Sequence, residues 1–362
     1  MLLLGLATLA NTSCQTSKPN LFPIVQDEKV GYINQQGEVV ISPRFRLGFP
    51  FSEGLALVCI EADDKCGFID QTGKVVIPAD FKQATRFSDG LAAIQVANKI
   101  GYIDMTGRIV INPQFDLGGN LQTYIFSEGL AGVHIGDKFG FIDKTGKIAI
   151  PAQFDDASPF FDGLAAVQLD KKAGFIDRNG RFVINPEFDE AEPFVNGLAA
   201  VKVGEKFGYI DKTGKIVVSP QFERAFPFSD EGLALVVNDK KAGFINRSGT
   251  YAIGQQFTTT GWFFPVTWEM AFFVTPEIGR VSFSEGLAPV KNADGKVGYV
   301  NTTGAVVINY QFDEGLPFYN GLAFVSRTQS QSSEPERGWI DKQGRFVWRE
   351  AKAKSKPTPN TR

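Results

Sequence analysis

Acidic side chains recur at fixed places in this 362-residue chain, and carboxylates can bind cations or carry out acid–base catalysis. In a hairpin turn the same side chain caps the backbone. Paired acid–base catalysis requires two carboxylates in unlike environments, whereas a repeated column supplies like ones. We therefore predict that turn capping, not catalysis, explains the column of Asp or Asn at Asn34, Asp70, Asp104, Asp143, Asp177, Asp211, Asn246, Asn301 and Asp341.

Other reactive groups are scarce. The chain has 1 His and 3 Cys, so histidine-based catalysis and multi-His metal sites have almost no residues to work with. His134 lies on the polar face of its predicted strand, and no Ser or Cys has a recognisable spacing to it. We predict no catalytic residue, no metal site and no cofactor. A second set of acidic residues precedes the Gly-Leu-Ala motifs, and we predict a structural role for it, as for the Asp/Asn column. It comprises Glu53, Asp89, Glu128, Asp162, Glu231 and Glu285.

Two cysteines stand out by their register. Cys59 and Cys66 align with Lys202 and Phe207 of a regular repeat, which a two-residue hairpin turn places opposite each other. An opposed pair can approach disulfide geometry. If the protein is exported, we predict a disulfide that acts as a staple, the alternative being two free small apolar side chains.

An aromatic insertion at 258–280 is the most individual segment. Phe257 and Phe283 are 26 positions apart, whereas the equivalent Phe222 and Phe228 are 6 apart. Such aromatic density suggests either a partner surface or a flap that packs on the repeats. The partner-binding candidates are Trp262, Phe263, Phe264, Trp268, Phe272 and Phe273.

These residues are carried by a nine-fold internal repeat. A Gly-aromatic-Ile/Val-Asp/Asn signature recurs with spacings of 36, 34, 39, 34, 34, 35, 55 and 40 residues, and a Phe-x-x-Gly-Leu-Ala motif or a close variant lies between copies. Such a period indicates one supersecondary unit copied along the chain. The signature glycines are Gly31, Gly67, Gly101, Gly140, Gly174, Gly208, Gly243, Gly298 and Gly338.

One repeat, residues 198–222, predicts a three-stranded antiparallel meander. Its alternating apolar residues indicate a first strand, and the register sets Lys202 opposite Phe207 and Val201 opposite Gly208. A third strand should end at Pro220. The following arc carries aromatic residues that should fill the space between neighbouring units, since one meander is too small to bury its own faces.

The pattern G-[FYW]-I-D-x-x-G-K-x-V-I-x-P-x-F followed by F-S-E-G-L-A resembles the bacterial WG repeat, also called the KWG repeat, over roughly residues 24–348. Most members carry Trp beside the glycine, which only Gly338-Trp339 retains in this chain. The resemblance implies binding or scaffolding, since the family is tied to no general catalytic activity.

The fold class predicted is all-β, with about nine meanders in an open β-solenoid or superhelix. The alternative is a closed β-propeller. The open form is favoured because no terminal strand is left over to complete a shared blade, and because about 34 residues is short for a four-stranded blade.

The two ends differ from the repeat domain at 21–348. Residues 1–20 resemble an export signal or lipoprotein-like leader and linker, with Cys14 as the lipidation candidate. Residues 349–362 form a basic tail that we expect to be disordered. The leader predicts an exported protein, periplasmic or outer-surface, attached to a membrane only through a lipid on Cys14.

Composition and pattern together predict a non-enzymatic cell-envelope scaffold that binds a protein or a glycan. A net charge of -3 argues against nucleic acid as a partner. The insertion at 258–280 would supply specificity. The alternatives are a carbohydrate-active or other hydrolytic enzyme on a β-propeller, which requires unit-specific acidic residues that converge on one cleft, and a purely structural spacer.

Overall fold

The fold consists of nine three-stranded antiparallel meanders, counted over the residues that the structure describes. The computed structural model describes residues 20–60, 65–118, 121–258, 282–328 and 335–351. The first strands are Phe22–Gln26, Leu55–Cys59, Leu91–Val96, Leu130–Ile135, Ala165–Leu169, Leu198–Val203, Ala234–Asn238, Leu287–Lys291 and Ala323–Arg327. The second strands are Lys29–Ile33, Cys66–Asp70, Lys99–Asp104, Lys138–Asp143, Lys172–Ile176, Lys206–Asp211, Lys241–Ile245, Val297–Asn301 and Glu336–Ile340. The third strands are Val39–Phe45, Val75–Phe81, Ile109–Asp116, Ile148–Phe154, Phe182–Phe188, Ile216–Phe222, Tyr251–Thr258, Val306–Phe312 and Phe346–Arg349.

An arc joins the third strand of each repeat to the first strand of the next. Five arcs contain a two-residue strand that pairs with the following first strand, at Leu47–Gly48, Asp156–Ala157, Glu190–Ala191, Arg224–Ala225 and Glu314–Gly315. The arc between the third and fourth repeats contains a short 3-10 helix at Leu121–Tyr124. A single residue pair there, Asp116 with His134, joins these two meanders into one six-stranded sheet. The described strands therefore form eight sheets, and the all-β prediction is confirmed.

The hairpin register predicted for the sixth repeat is confirmed, because Lys202 pairs with Phe207 and Val201 with Gly208. The expected end of the third strand at Pro220 is wrong, since the strand continues to Phe222. Its pairing with the second strand shifts between Val218 and Phe222, and Pro220 lies within that irregularity, where no ladder donor is required.

Gly208 is required by a close approach of the third strand. A Cβ at this position would lie 2.5 Å from the main-chain oxygen of Val218 on the third strand. The crowding therefore comes from the third strand and not from Val201 across the hairpin.

Aromatic pairs join neighbouring repeats. In each of the first eight repeats the residue after the signature glycine packs on the Phe of the Phe-x-x-Gly-Leu-Ala motif, or its close variant, in the next arc, with ring centroids 4.7 to 5.1 Å apart. Edge-to-face and tilted pairs at this distance stabilise beyond the area they bury. The prediction that arc aromatics fill the space between units is confirmed. The eight pairs are Tyr32–Phe51, Phe68–Phe87, Tyr102–Phe126, Phe141–Phe160, Phe175–Phe194, Tyr209–Phe228, Phe244–Phe283 and Tyr299–Phe318.

A ninth aromatic pair closes the ring. Trp339 of the last repeat packs on Phe22 of the first, with ring centroids 5.0 Å apart. The indole Nε1 of Trp339 donates a hydrogen bond to the main-chain oxygen of Pro23 at 2.8 Å. The sheets therefore form a closed β-propeller, the alternative form, and the preference for an open stack is wrong.

The argument for an open stack relied on the lack of a spare terminal strand, but closure at this point does not use one. Phe22 and Ile24 of the first strand are buried in one cluster with Leu322, Phe324 and Trp339 of the last repeat. Side-chain packing of this kind joins two repeats without a shared sheet.

Candidate functional site

The Asp/Asn column caps the turns between second and third strands, as predicted. Asp70 is typical, because its Oδ1 accepts hydrogen bonds from the backbone N–H of Thr72 at 2.9 Å and of Lys74 at 3.0 Å. The Thr72 hydroxyl donates to the same oxygen at 2.6 Å and is the main cause that holds the pKa of Asp70 below its usual range. Asn34 caps its turn in the same way without a charge.

The second acidic set joins adjacent repeats. Each carboxylate accepts a hydrogen bond from the glycine N–H of the next Gly-Leu-Ala motif; Asp89, for example, accepts from Gly129 at 2.7 Å. The other donor–acceptor pairs are Gly90 with Glu53, Gly163 with Glu128, Gly197 with Asp162, Gly286 with Glu231 and Gly321 with Glu285. This use of the set supports its structural interpretation.

Basic side chains from the following repeat reinforce these bonds. Arg178 lies 2.8 Å from Glu128, and Lys342 lies 3.1 Å from Glu285. The periodic carboxylates are therefore occupied by bonds within the scaffold.

Charged residues from two neighbouring arcs, the leading arcs of the sixth and seventh repeats, converge on one cavity. The two arcs and the adjoining hairpin enclose a cavity of about 470 Å³, which we call the arc cleft. Three carboxylates and two cations line it, namely Glu190, Glu192, Glu223, Lys202 and Arg224. Lys202 is bonded to Glu190 at 2.7 Å, and this bond raises the pKa of Lys202.

The arc cleft also has an apolar floor. The Lys202 ammonium lies 5.7 Å from the ring centroid of Phe207, within the range of a cation–π interaction. The half-buried floor residues are Phe207, Phe226, Pro193, Pro227 and Val195. The sequence did not single out this site, although acidic residues in alternation at Glu190 and Glu192 depart from the other arcs and could have indicated it.

Exposed apolar side chains form a second unusual surface. The first two residues of most third strands face solvent, with exposed fractions of 37% to 54%. We call these positions the third-strand rows. They comprise Val39, Val40, Val75, Val76, Ile109, Val110, Ile148, Val183, Ile216, Val217, Tyr251, Val306 and Val307.

Cys59 and Cys66 lie directly opposite each other in the second repeat. A disulfide joins them, and their Cα atoms are 4.0 Å apart. The bond joins the two strands where they flank the hairpin loop, a position that fits the predicted role of a staple. His134 packs against Phe139, with ring centroids 3.7 Å apart, in the strand that pairs with Asp116.

Several predicted residues lie outside the described part of the chain. They are the lipidation candidate Cys14 and the partner-binding candidates Trp262, Phe263, Phe264, Trp268, Phe272 and Phe273. Across residues 20–60, 65–118, 121–258, 282–328 and 335–351, no helix is long and apolar enough to span a membrane. Within those same ranges no group of three or more His, Cys, Asp or Glu side chains is arranged to hold a metal ion.

Solved structures with similar folds have low sequence identity to this chain. The crystal structure of a eukaryotic initiation factor has a TM-score of 0.61 at 10% identity, over 92% of this chain and 96% of that one. The dihydro-heme d1 dehydrogenase NirN has a TM-score of 0.46 at 13% identity, over 92% and 73%. Hsv2p of Kluyveromyces lactis has a TM-score of 0.41 at 10% identity, over 83% and 99%. The first similarity concerns the fold alone.

A search of curated protein sequences gives no significant match. The model of the WG-containing repeat matches seven segments, at residues 31–65, 67–99, 100–139, 139–172, 174–207, 207–241 and 298–327. These segments cover more than half of the chain and coincide with repeats of the propeller. The chain therefore belongs to the WG-containing repeat family.

Proposed function

We propose that this protein is a non-enzymatic scaffold that binds a partner protein through the third-strand rows. The observation that carries the proposal is the exposure of adjacent apolar pairs such as Val75–Val76 and Ile216–Val217 at equivalent places along the ring. Contiguous exposed apolar surface marks protein interaction sites. The rows would bind by burying these side chains against a complementary apolar surface.

Binding through side chains fits the chemistry of these strands better than strand addition. Most third strands contain a proline, such as Pro78 and Pro220, which removes a backbone donor. Many also follow a basic residue, such as Lys74 or Lys215, and lysine and proline both protect exposed strand edges from pairing. The partner would therefore contact the apolar pairs without extending the sheets.

A protein partner is favoured over a glycan because the rows are almost entirely aliphatic. Only Tyr251 among the exposed row residues supplies an aromatic ring. Aliphatic side chains gain stability by leaving water, which requires an apolar partner surface. A glycan would instead need ring faces and hydrogen-bonding groups.

Export to the cell envelope is part of the proposal. It is supported by the leader-like sequence at 1–20 and by the disulfide between Cys59 and Cys66, since disulfides persist in oxidising compartments. Mass spectrometry of the mature N-terminus tests it. An unprocessed Met1 would contradict it, and a lipid on Cys14 would support membrane attachment.

The test of the binding proposal compares row variants with polar control variants on the third strands of other repeats. Partners are captured by cross-linking to the wild-type protein, identified, purified and titrated one at a time. We expect the double variants Val75→Ser with Val76→Ser, and Ile216→Ser with Val217→Ser, to raise Kd at least tenfold. Controls are the exposed polar positions Asn112→Ser and Asn185→Ser. An unchanged Kd in both double variants would overturn the proposal.

Specificity supplied by the insertion at 258–280 stays a prediction. A deletion of 258–280 should change which partners are captured by cross-linking. An identical set of partners would contradict it.

A hydrolytic enzyme is the second candidate, because three carboxylates from two arcs converge on the arc cleft. Glu190, which is bonded to Lys202 at 2.7 Å, would be the general base or nucleophile of such an enzyme. Release of reducing ends from envelope polysaccharides, abolished by Glu190→Gln, would establish this function. If no reducing ends are released while partner binding is retained, the scaffold function is favoured.

A further inference from the structure

The arc cleft differs from the corresponding places in other repeats because one of its carboxylates, that of Glu223, is not paired with the lysine of its own repeat in the described part of the chain. Where a third strand meets the next arc, four repeats carry an Asp that is bonded to the lysine at the start of the second strand of the same repeat. These pairs are Lys99–Asp116, Lys138–Asp155, Lys172–Asp189 and Lys296–Asp313. The sixth repeat has the equivalent residues Lys206 and Glu223.

Glu223 does not follow this pattern. Lys206 and Glu223 form no ion pair with each other within the part of the chain that the structure describes, and Glu223 lines the arc cleft instead. Its backbone N–H is held by the side-chain oxygen of Asn238 at 2.9 Å. The main chain of Glu223 is thus fixed while its carboxylate stays available at the rim of the cleft.

The balance of charge in the arc cleft favours a cation. Three glutamates face one lysine and one arginine, and the lysine is already bonded to Glu190. A cationic ligand group would offset the remaining negative charge. The rings of Phe207 and Phe226 add surfaces that attract cations and pack against aliphatic groups.

The apolar floor of the arc cleft indicates that the ligand should carry apolar groups next to its cation. Prolines at Pro193 and Pro227 and the side chain of Val195 form a half-buried apolar surface beside the charged rim. A cavity of about 470 Å³ is within the size range of ligand-binding pockets, whose few polar groups set orientation. A free inorganic cation would leave this apolar surface in water.

We propose that the arc cleft binds a peptide segment in which an Arg or Lys adjoins apolar residues, with Glu223 as the residue that selects the cation. The inference rests on the proposed function, because it assigns the segment to a partner protein. It adds a second contact that is separate from the third-strand rows and that reads the charge of the partner.

The test uses random seven-residue peptides displayed on phage and selected on the immobilised full-length chain. We expect enrichment of peptides with Arg or Lys beside Pro or an aliphatic residue. Glu223→Gln should raise the Kd of the best synthetic peptide at least tenfold. The matched control is Glu187→Gln, an exposed third-strand carboxylate outside the cleft, which should leave Kd unchanged.

A charge exchange provides the sharper readout. Glu223→Lys should lose the basic peptide and bind a version of it in which the Arg or Lys is replaced by Glu. Selection of neutral or acidic peptides, or a Kd unaffected by Glu223→Gln, would overturn the inference.

The outcome is separable from that of the proposed function. Loss of partner binding in the row variants, together with full binding in Glu223→Gln, would refute the cleft assignment and leave the scaffold intact.

Discussion

The junction between the ninth and first repeats shares with regular junctions an aromatic pair and a side-chain bond to the neighbouring arc, and it differs at the indole of Trp339. Gln35 donates to the main-chain oxygen of Asn320 as Arg247 donates to that of Asn196. In regular junctions a tyrosine hydroxyl can reach the next arc, as Tyr209 does at the main-chain oxygen of Phe226. At the closing junction an indole reaches the first strand itself, at Pro23. The larger ring of Trp339 thus supplies a contact that elsewhere uses the arc. The indole of Trp339 and the apolar cluster that it shares with Phe22 and Ile24 therefore hold the ring closed.

The turn glycines sharpen the same comparison. A Cβ at Gly214 would lie 3.4 Å from the side chain of Ile184 in the preceding repeat. A Cβ at Gly37 would lie 2.0 Å from the main-chain oxygen of Val347 in the last repeat. At this turn the closing junction therefore brings backbone against backbone, which leaves less freedom to adjust than the side-chain neighbour at Gly214 does.

The largest expected effect is that of Trp339→Ala compared with Phe175→Ala. Both remove a buried aromatic ring, and each should lower the free energy of unfolding by about 3–5 kcal/mol. Only Trp339→Ala should open the ring, because it removes the closing pair. Hydrogen exchange by mass spectrometry should show faster exchange across Phe22–Gln26 in that variant alone. Equal exchange in the two variants would contradict the special role of this junction.

Gly37→Ala and Gly214→Ala test the backbone contact. Both glycines have a positive φ, 84° and 85°, which costs an alanine roughly 1–2 kcal/mol. Gly37→Ala should cost more, because its methyl group must also displace the Val347 carbonyl. Urea unfolding of the two variants measures the difference, and equal midpoints with equal slopes would mean that the closing junction yields as easily as a regular one.

Removal of the disulfide should have a smaller effect that does not reach the closing junction. The bond closes a short loop, so Cys59→Ala with Cys66→Ala should lower the free energy of unfolding by about 2 kcal/mol. Exchange should increase in Leu55–Cys59 and Cys66–Asp70 and stay unchanged in Phe22–Gln26. A change at Phe22–Gln26 would show that the second repeat supports closure.

The smallest expected effect is that of acid on the turn caps. Hydrogen bonds, led by that of Thr72, lower the pKa of Asp70 in the folded state below the unfolded value of about 3.9. A carboxyl group with a depressed folded pKa contributes its full stabilisation of the fold at pH values above its unfolded pKa. This contribution is lost as the pH falls through the folded pKa. Amides of Thr72 and Lys74 should lose protection over that range.

The first repeat supplies the control, because Asn34 caps the turn that reaches the last repeat and does not titrate. Amides of Gln36 and Glu38 bond to the Asn34 side chain and should keep their protection in acid. A parallel loss at both turns would mean that acid acts on the whole ring and not on the caps.

Much of each repeat could be predicted from local sequence. The pairing of Lys202 with Phe207 follows from the spacing of Gly204 and the alternation of the strand, since register depends on neighbours in the chain. The turn caps follow for the same reason. The extension of the third strand past Pro220 could not be predicted from local sequence, because it depends on an irregular pairing with the second strand.

The arc cleft was beyond the reach of the repeat pattern. Glu190 and Glu223 are 33 positions apart and come together only when two arcs pack side by side. In the sequence their acidity looks like ordinary surface charge. Whether a carboxylate is available to bind a ligand depends on its ion-pair partners, such as Lys202 for Glu190, and the fold determines which partners lie within reach.

The sequence by itself determined the nine repeats, the meander within each, its register and its capped turns, because these depend on residues a few positions apart. Tertiary structure decided that the ring closes, that periodic carboxylates bond to the next repeat, and that charged residues from two arcs share one cleft. Closure depends on the small rotation between successive repeats summed over the whole chain. Trp339 and Phe22 are 317 positions apart in the sequence and meet only because these rotations add up to a closed ring.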